Sequence, residues 1–173
     1  MLFYYDEKLK KYEDFFCWDD ALTYLEDVYQ KNGEISMLNS LIGFSWYYLF
    51  EGPCISRKYE NDESRLAPAI WKKYINIGIQ KAIEDPYYCF IAGYTLSMDG
   101  YYLGRSYEEM GTALMEKCIK VTDDMMLKSL ACNFVQNTHS KSHISLKTGD
   151  AICLRLFSGN SLLDQYFHEL YAI

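Results

Sequence analysis

Apolar residues recur along most of the chain at the three- and four-residue spacing that places side chains on one face of an α-helix. A first helix is predicted from Asp19, taken as its capping acid, to a stop at Asn32-Gly33. A second is predicted from Glu34 to Phe50 and ends before Gly52-Pro53. The apolar positions of these two helices are Leu22, Leu25, Val28 and Tyr29, and Leu38, Leu41, Ile42, Trp46 and Leu49.

Prolines mark the starts of the next two predicted helices. Pro68 is typical of a first helical turn, and the helix that it opens is expected to end near Glu84. Asp85 as N-cap, with Pro86 behind it, opens another helix that continues to Asp99-Gly100. The apolar stripes are Ile70, Trp71, Tyr74, Ile75 and Ile79 in one helix, and Phe90, Ile91, Tyr94 and Met98 in the other.

Capping patterns predict three more helices, one segment predicts a loop, and another fits two alternatives. The polar residues Ser56–Ser64 predict an exposed loop. The segment His139–Phe157 fits either a helix from Asp150 or a hairpin that turns at Thr148-Gly149-Asp150, and we favour the helix. Ser106 with Glu109, and Ser161 with Asp164 before the C-terminal helix, each form a capping-box pattern. Asp123 or Asp124 is expected to cap the helix Met125–Gln136.

The first two helix pairs match one another when the chain is shifted by fifty residues, which predicts an internal repeat. Gly43 and Gly93 coincide in this alignment, and both fall inside predicted helices. Glycine costs a helix about 1 kcal/mol relative to alanine, so we expect these two to allow close approach of a neighbouring helix. Other matched pairs are Tyr24 with Tyr74, Gln30-Lys31 with Gln80-Lys81, Glu34 with Glu84, and Leu41 with Ile91.

One stretch resembles the tetratricopeptide and Sel1-like helical repeats. It is FIAGYTLSMDGYYLGRSYEEMGTALMEKCI, with Gly93-Tyr94, a glycine-bearing turn, and Tyr107–Cys118 as the second helix. Leu41–Gly52 is similar to the first half of such a unit, although the loop at Ser56–Ser64 departs from regular repeat length. We predict an all-α fold of stacked antiparallel helical hairpins, either a tetratricopeptide-like right-handed superhelix or an irregular bundle, in one domain over residues 1–173. The resemblance implies a concave surface for a peptide or protein.

Composition narrows the range of partners. The 173 residues include 17 basic and 24 acidic side chains, a net charge of −7, so a basic protein is favoured and a nucleic acid is not. The chain lacks an apolar stretch of the roughly 20 residues that a membrane helix needs and a basic leader segment, which predicts a cytoplasmic protein. We expect reduced thiols at Cys17, Cys54, Cys89, Cys118, Cys132 and Cys153.

Few residues suggest catalysis. His139 and His143 have the i,i+4 spacing of a helical metal pair, but the Ser-Lys-Ser between them is turn-like. Cys132 could serve as a nucleophile and His139 as its base. However, the apolar helix around Cys132 disfavours a thiolate there. No phosphate-binding loop and no G-x-S-x-G elbow occurs in the sequence. We therefore predict a protein that is not an enzyme and carries neither metal nor cofactor.

Aromatic density points to an interface. Adjacent aromatic residues occur at Trp46-Tyr47-Tyr48, Tyr87-Tyr88 and Tyr101-Tyr102, and neighbours in a helix point in different directions, so some should lie outside the core. Tyr and Trp are common anchors of protein interfaces. The predicted partner-binding residues are Tyr47, Tyr48, Tyr87, Tyr101, Tyr102, Asp99, Glu108 and Glu109.

In overall character the chain resembles the immunity proteins of bacterial toxin–immunity pairs, including those of contact-dependent growth inhibition. This resemblance implies a protein that neutralises a toxin domain, for example a basic nuclease, by covering its active site. The alternative is a tetratricopeptide or Sel1-like adaptor that holds a peptide or protein in a groove. An enzyme of unknown chemistry is the third hypothesis.

Overall fold

A computed structural model describes residues 2–51, 66–139, 156–157, 159 and 161–171. These residues contain eight α-helices, one 3₁₀ helix and no β-strand, so the all-α prediction is confirmed. The predicted loop at Ser56–Ser64 and most of the segment His139–Phe157 lie outside them. The elements are α1 (Glu7–Asp14), α2 (Trp18–Asn32), α3 (Ile35–Phe50), α4 (Ala67–Lys81), α5 (Pro86–Asp99), η1 (Gly100–Tyr102), α6 (Arg105–Val121), α7 (Met125–His139) and α8 (Leu162–Tyr171).

Several predicted helix ends are confirmed. Helix α2 ends at Gly33, whose positive φ of 66° is the conformation that glycine adopts most readily. The Asp85 carboxylate caps α5 by accepting from the Tyr88 amide at 2.9 Å. Asp124, the second of the two predicted caps, accepts from the Met126 amide at 2.9 Å at the start of α7.

Two predicted starts are wrong, and one helix was not predicted. Helix α6 starts at Arg105 behind Gly104, so Ser106 lies inside the helix and does not cap it. Helix α2 starts one residue before Asp19, with Cys17 at the N-cap position. Helix α1 follows Asp6, whose side chain accepts from two amides of the first turn. Its short, mostly polar sequence lacks the apolar stripe that identified the others.

Helix α3 occupies the centre of the molecule. Its residues 37–48 are all buried, and α2, α4, α5 and α8 pack around it. Leu2 and Phe3, in the segment before α1, are also buried in the same hydrophobic cluster. Two serines of α3 find partners inside the core: Ser40 Oγ accepts from the Tyr4 amide at 2.7 Å, and Ser45 Oγ donates to a backbone carbonyl one turn earlier. The side-chain oxygen of the buried Asn39 has no hydrogen-bond partner among the described residues. The core of the described residues is therefore organised around one helix.

Helices α5 and α6 approach one another closely at two glycines. A Cβ at Gly93 would lie 3.0 Å from the Met115 backbone nitrogen and 3.2 Å from the Gly111 carbonyl oxygen. A Cβ at Gly111 would lie 2.5 Å from the Ser97 backbone nitrogen. The expectation that Gly93 allows a neighbouring helix to approach is confirmed. At Gly43 the close neighbours are instead side chains, those of Leu163 and Phe3.

The two predicted helix pairs have similar bounds but different packing. Helix α4 starts 49 residues after α2, and α5 starts 51 residues after α3. Helix α2 packs directly on α3, whereas α4 packs mainly on α3 and α5 mainly on α6. Long side chains bridge α4 and α5, as where the Tyr88 hydroxyl donates to the Ile75 carbonyl at 2.9 Å. The tetratricopeptide or Sel1-like repeat stays a prediction.

The backbone contact at Gly111 predicts that even a methyl group there is destabilising. We expect Gly111→Ala to lower the free energy of unfolding by about 2 kcal/mol, because α6 must move away from α5. Gly43→Ala is the matched control: its new Cβ meets the tip of the flexible Leu163 side chain at 2.7 Å, so the loss should be smaller. Urea unfolding of both variants measures the difference, and equal losses would contradict the assignment.

Candidate functional site

Five of the eight predicted partner-binding residues come together around η1. Asp99 ends α5, Tyr101 and Tyr102 belong to η1, and Glu108 and Glu109 lie in the first turns of α6. Met98 adds an exposed apolar side chain beside them, which sequence reasoning assigned to a buried stripe. We call Met98, Asp99, Tyr101, Tyr102, Glu108 and Glu109 the η1 surface.

Glycine determines the local geometry of this surface. Gly100 is buried, and a Cβ there would lie 2.9 Å from the Glu108 backbone nitrogen, so η1 lies directly against the start of α6. Gly104, with φ of 121°, turns the chain from η1 into α6 in a conformation that favours glycine. These two glycines place the η1 tyrosines next to the acidic first turns of α6.

The apolar side chains of the η1 surface are well exposed. The fractional exposure is 62% for Tyr101, 52% for Tyr102 and 48% for Met98. The Tyr102 ring also packs edge-on against Phe50 of α3, with ring centroids 5.6 Å apart. Tyr102 is therefore anchored on one side and open on the other, while Tyr101 is the more open of the two.

The η1 surface carries two exposed acidic side chains and one half-buried acidic side chain. Glu108 and Glu109 are exposed, and Glu109 pairs with Arg105 at 3.2 Å, a surface contact worth at most about 1 kcal/mol. Asp99 is half-buried and accepts from Trp46 Nε1 at 2.8 Å. Burial raises the pKa of Asp99, and the hydrogen bond from Trp46 opposes that rise. Burial and the nearby Asp99 also raise the pKa of Glu51, which places a second carboxylate close to the first.

Tyr47 and Tyr48 are not part of this surface, and the prediction for them is wrong. They are 4% and 0% exposed, because α3 is enclosed on all sides and adjacent residues are both buried. The Tyr48 ring stacks on Trp18 at 4.4 Å, and Tyr47 packs edge-on against Tyr166.

Tyr87 is separate from the η1 surface. It lies in the first turn of α5, whereas η1 follows the last, and fourteen helical residues span roughly 20 Å. Its hydroxyl donates to Asp124 at 3.3 Å, where α7 begins. The structure therefore places Tyr87 at the opposite end of α5, and a partner on the η1 surface would reach it only through a large interface.

Sequence reasoning missed a buried acid at the end of α1. The Glu13 side chain is 5% exposed and accepts from the Tyr5 hydroxyl at 2.6 Å and the Tyr48 hydroxyl at 3.4 Å. Burial raises the pKa of Glu13 to about 7, and these hydrogen bonds oppose the rise. Glu13 also lines a cavity, so an acid whose pKa is near 7 borders space that solvent can enter. Its position in α1, without an apolar pattern, gave no indication of burial.

Three cysteines lie in helices α5, α6 and α7. Burial raises the pKa of both Cys89 and Cys118 to about 12, which keeps these thiols protonated. Cys132 is half-buried in α7, and the side chain of His139 lies outside the description, as does all of His143. Within the described ranges, no group of three His, Cys, Asp or Glu side chains could hold a metal ion.

No protein-family model, curated protein or solved structure matches this chain significantly. Among the helices that the structure describes, none is both long enough and apolar enough to span a bilayer. The site must therefore be interpreted from its own geometry.

The raised pKa of Glu13 predicts how stability changes with pH. The folded state holds the Glu13 proton up to about pH 7, whereas an unfolded glutamate releases it near 4.5. The stabilisation from Glu13 is therefore complete below pH 4.5 and is lost as the pH rises through 7, by about 3 kcal/mol in total. We expect Glu13→Gln to remove this loss, which urea unfolding between pH 5 and pH 8 would detect.

Glu7→Gln changes an exposed acid of the same helix and is the control. It should keep the wild-type fall in stability across this range. If Glu13→Gln kept the same fall as the control, Glu13 would not be the titrating group.

Proposed function

We propose that this chain is a protein-binding protein that engages a basic protein partner through the η1 surface. The observation that carries the proposal is the exposure of Tyr101, Tyr102 and Met98 beside acidic side chains. Tyr and Met are enriched where interfaces are buried, and a rim of acids favours a partner of opposite charge. The net charge of −7 also attracts a basic partner, and it does so at longer range.

The structure gives a physical reason why these side chains suit an interface. Gly100 and the Phe50 contact fix the backbone of η1 and one tyrosine ring, so little conformational entropy is lost when a partner covers them. A standard interface needs about 800 Å² from each partner. Tyr101, Tyr102 and Met98 would form its apolar centre, and Glu108 and Glu109 would lie at its rim.

Within this proposal, the partner is a toxin domain and the chain is its immunity protein, acting in the cytoplasm of the cell that makes both. A toxin that acts on nucleic acid carries a basic active site, and an acidic, aromatic surface is suited to cover it. Inhibition would then follow from occlusion of the cleft. The adaptor hypothesis predicts instead that several unrelated peptides compete for one groove.

Co-expression tests the toxin hypothesis. The candidate toxin would be the variable C-terminal domain of a large secreted protein, if a gene next to that of this chain encodes one. The chain should restore growth to cells that make this domain and should bind the purified domain in a one-to-one complex. Absence of both protection and binding would contradict the immunity role, and binding of several unrelated peptides instead would favour the adaptor.

Alanine substitution tests the η1 surface. We expect Tyr101→Ala with Tyr102→Ala to raise the dissociation constant for the partner at least about 30-fold, since interface tyrosines often contribute 2 kcal/mol or more. Met125→Ala is the control, because Met125 is 75% exposed but lies at the start of α7. Isothermal titration calorimetry measures the affinities, and equal affinity of the double variant and the control would exclude this surface.

Charge reversal tests the electrostatic part separately. We expect Glu108→Lys to slow association about tenfold at low salt and to reduce the dependence of the association rate on ionic strength. Glu116→Lys makes the same change at an exposed acid further along α6 and should act more weakly. Stopped-flow mixing at two salt concentrations distinguishes the variants. Equal slowing by both would indicate a net-charge effect without a defined site.

A further inference from the structure

A cavity lies between the end of α1 and the start of α8, and none of its described lining residues belongs to the η1 surface. Its volume is about 440 Å³, within the range of small-ligand sites. Two aromatic side chains contribute to its wall and the buried Glu13 carboxyl adds an acidic group. The lining residues are Tyr5, Lys10, Glu13, Asp14, Phe16, Leu162 and Gln165.

The Glu13 carboxylate retains capacity for one more donor. It accepts from the Tyr5 and Tyr48 hydroxyls and from the Leu162 amide, the last at 3.5 Å. A carboxylate offers about four acceptor positions, so three donors leave one position available. Burial without a neutralising cation disfavours the charged form of Glu13. A cation that entered the cavity would relieve this penalty.

Phe16 gives a second and independent indication of a built site. Its φ of 55° lies in the left-handed region, where an aromatic side chain is strained by about 1 kcal/mol or more. The turn is a regular helix end: the Phe16 amide donates to the Glu13 carbonyl, and the Cys17 amide donates to the Tyr12 carbonyl. Glycine is the usual residue at this position. A phenylalanine there is explained by its side chain, which lines the cavity and packs against Trp18.

We infer that this cavity binds an organic cation, either a primary ammonium or a guanidinium group. The Glu13 carboxylate would accept from the cation, and the Tyr5 and Phe16 rings would provide aromatic faces, which attract cations. Asp14, an exposed lining residue, adds a second negative charge, and Lys10 is the opposing charge. The cation has two possible sources, a free small amine or a Lys or Arg side chain of a polypeptide.

The groups that face Glu13 determine how binding depends on pH. Because the pKa of Glu13 is about 7, its ionised fraction rises about tenfold between pH 6 and pH 8, while both types of cation stay charged. Affinity should rise by about the same factor. The titratable and hydrogen-bonding groups around Glu13 are Tyr5 before α1, Lys10 and Asp14 on α1, Tyr47 and Tyr48 on α3, and the Leu162 amide and Gln165 on α8.

A titration of the whole chain tests the inference by nuclear magnetic resonance. The probes are n-butylammonium and agmatine as free cations, and short unstructured peptides with a central lysine or arginine. The neutral control probe is 1-butanol. A cationic probe should shift the Leu162 amide signal, bind about tenfold more tightly at pH 8 than at pH 6, and bind more tightly than 1-butanol.

The two sources are separated by which cationic probe binds more tightly, the free amine or the matching peptide; either result supports the site. Glu13→Gln should weaken binding at least tenfold at pH 8. Phe16→Gly removes an aromatic wall while its backbone suits the turn, and it should also weaken binding, which keeps the test valid if Glu13→Gln does not fold. Glu7→Gln should bind as the wild type.

The inference would be overturned if no cationic probe shifted the Leu162 amide signal at about 50 mM, a concentration that detects dissociation constants well above 1 mM. Binding of 1-butanol as tight as that of n-butylammonium would also overturn it, since the cavity would then be selecting only for apolar volume. So would an affinity that did not change between pH 6 and pH 8.

Discussion

Helix α3 has no polar face, and such a helix is stable only when other elements enclose it on every side. Its residues 37–48 are all buried, which requires α2, α4, α5, α8 and the segment before α1 to pack around it. This enclosure also positions both candidate sites. Tyr48 of α3 reaches Glu13 at one of them, and Trp46 and Phe50 contact Asp99 and Tyr102 at the other.

Tyrosine is well suited to the enclosed core around α3. Its ring fills apolar space, and its hydroxyl satisfies polar groups that would otherwise be buried without a partner. Tyr88 donates to a backbone carbonyl, and the Tyr94 and Tyr166 hydroxyls share a hydrogen bond of 2.9 Å. Much of the tyrosine surplus thus serves the interior. The exposed pair Tyr101 and Tyr102 is informative because it departs from that use.

The sequence allowed the helices to be predicted where caps and apolar stripes are local features. Asp85, Gly33 and Asp124 act on neighbours within a few residues, so their roles could be inferred from spacing alone. The errors at Tyr47 and Tyr48 arose because a one-sided stripe was assumed for a helix that is enclosed all round; the long apolar run Leu41–Phe50 was the available indication. Glu13 was beyond prediction, since its partners Tyr48 and Leu162 lie 35 and 149 residues away.

The two candidate sites differ in how much they lower the stability of the fold. At the η1 surface, glycines occupy the strained or crowded positions, so the exposed side chains sit on a relaxed backbone. At the α1–α8 cavity, a buried acid and a phenylalanine with positive φ occur three residues apart, and each lowers stability at neutral pH. Local conflicts of this kind are expected at functional sites. Their coincidence in one turn is therefore a stronger indication of a specific ligand than the cavity volume alone.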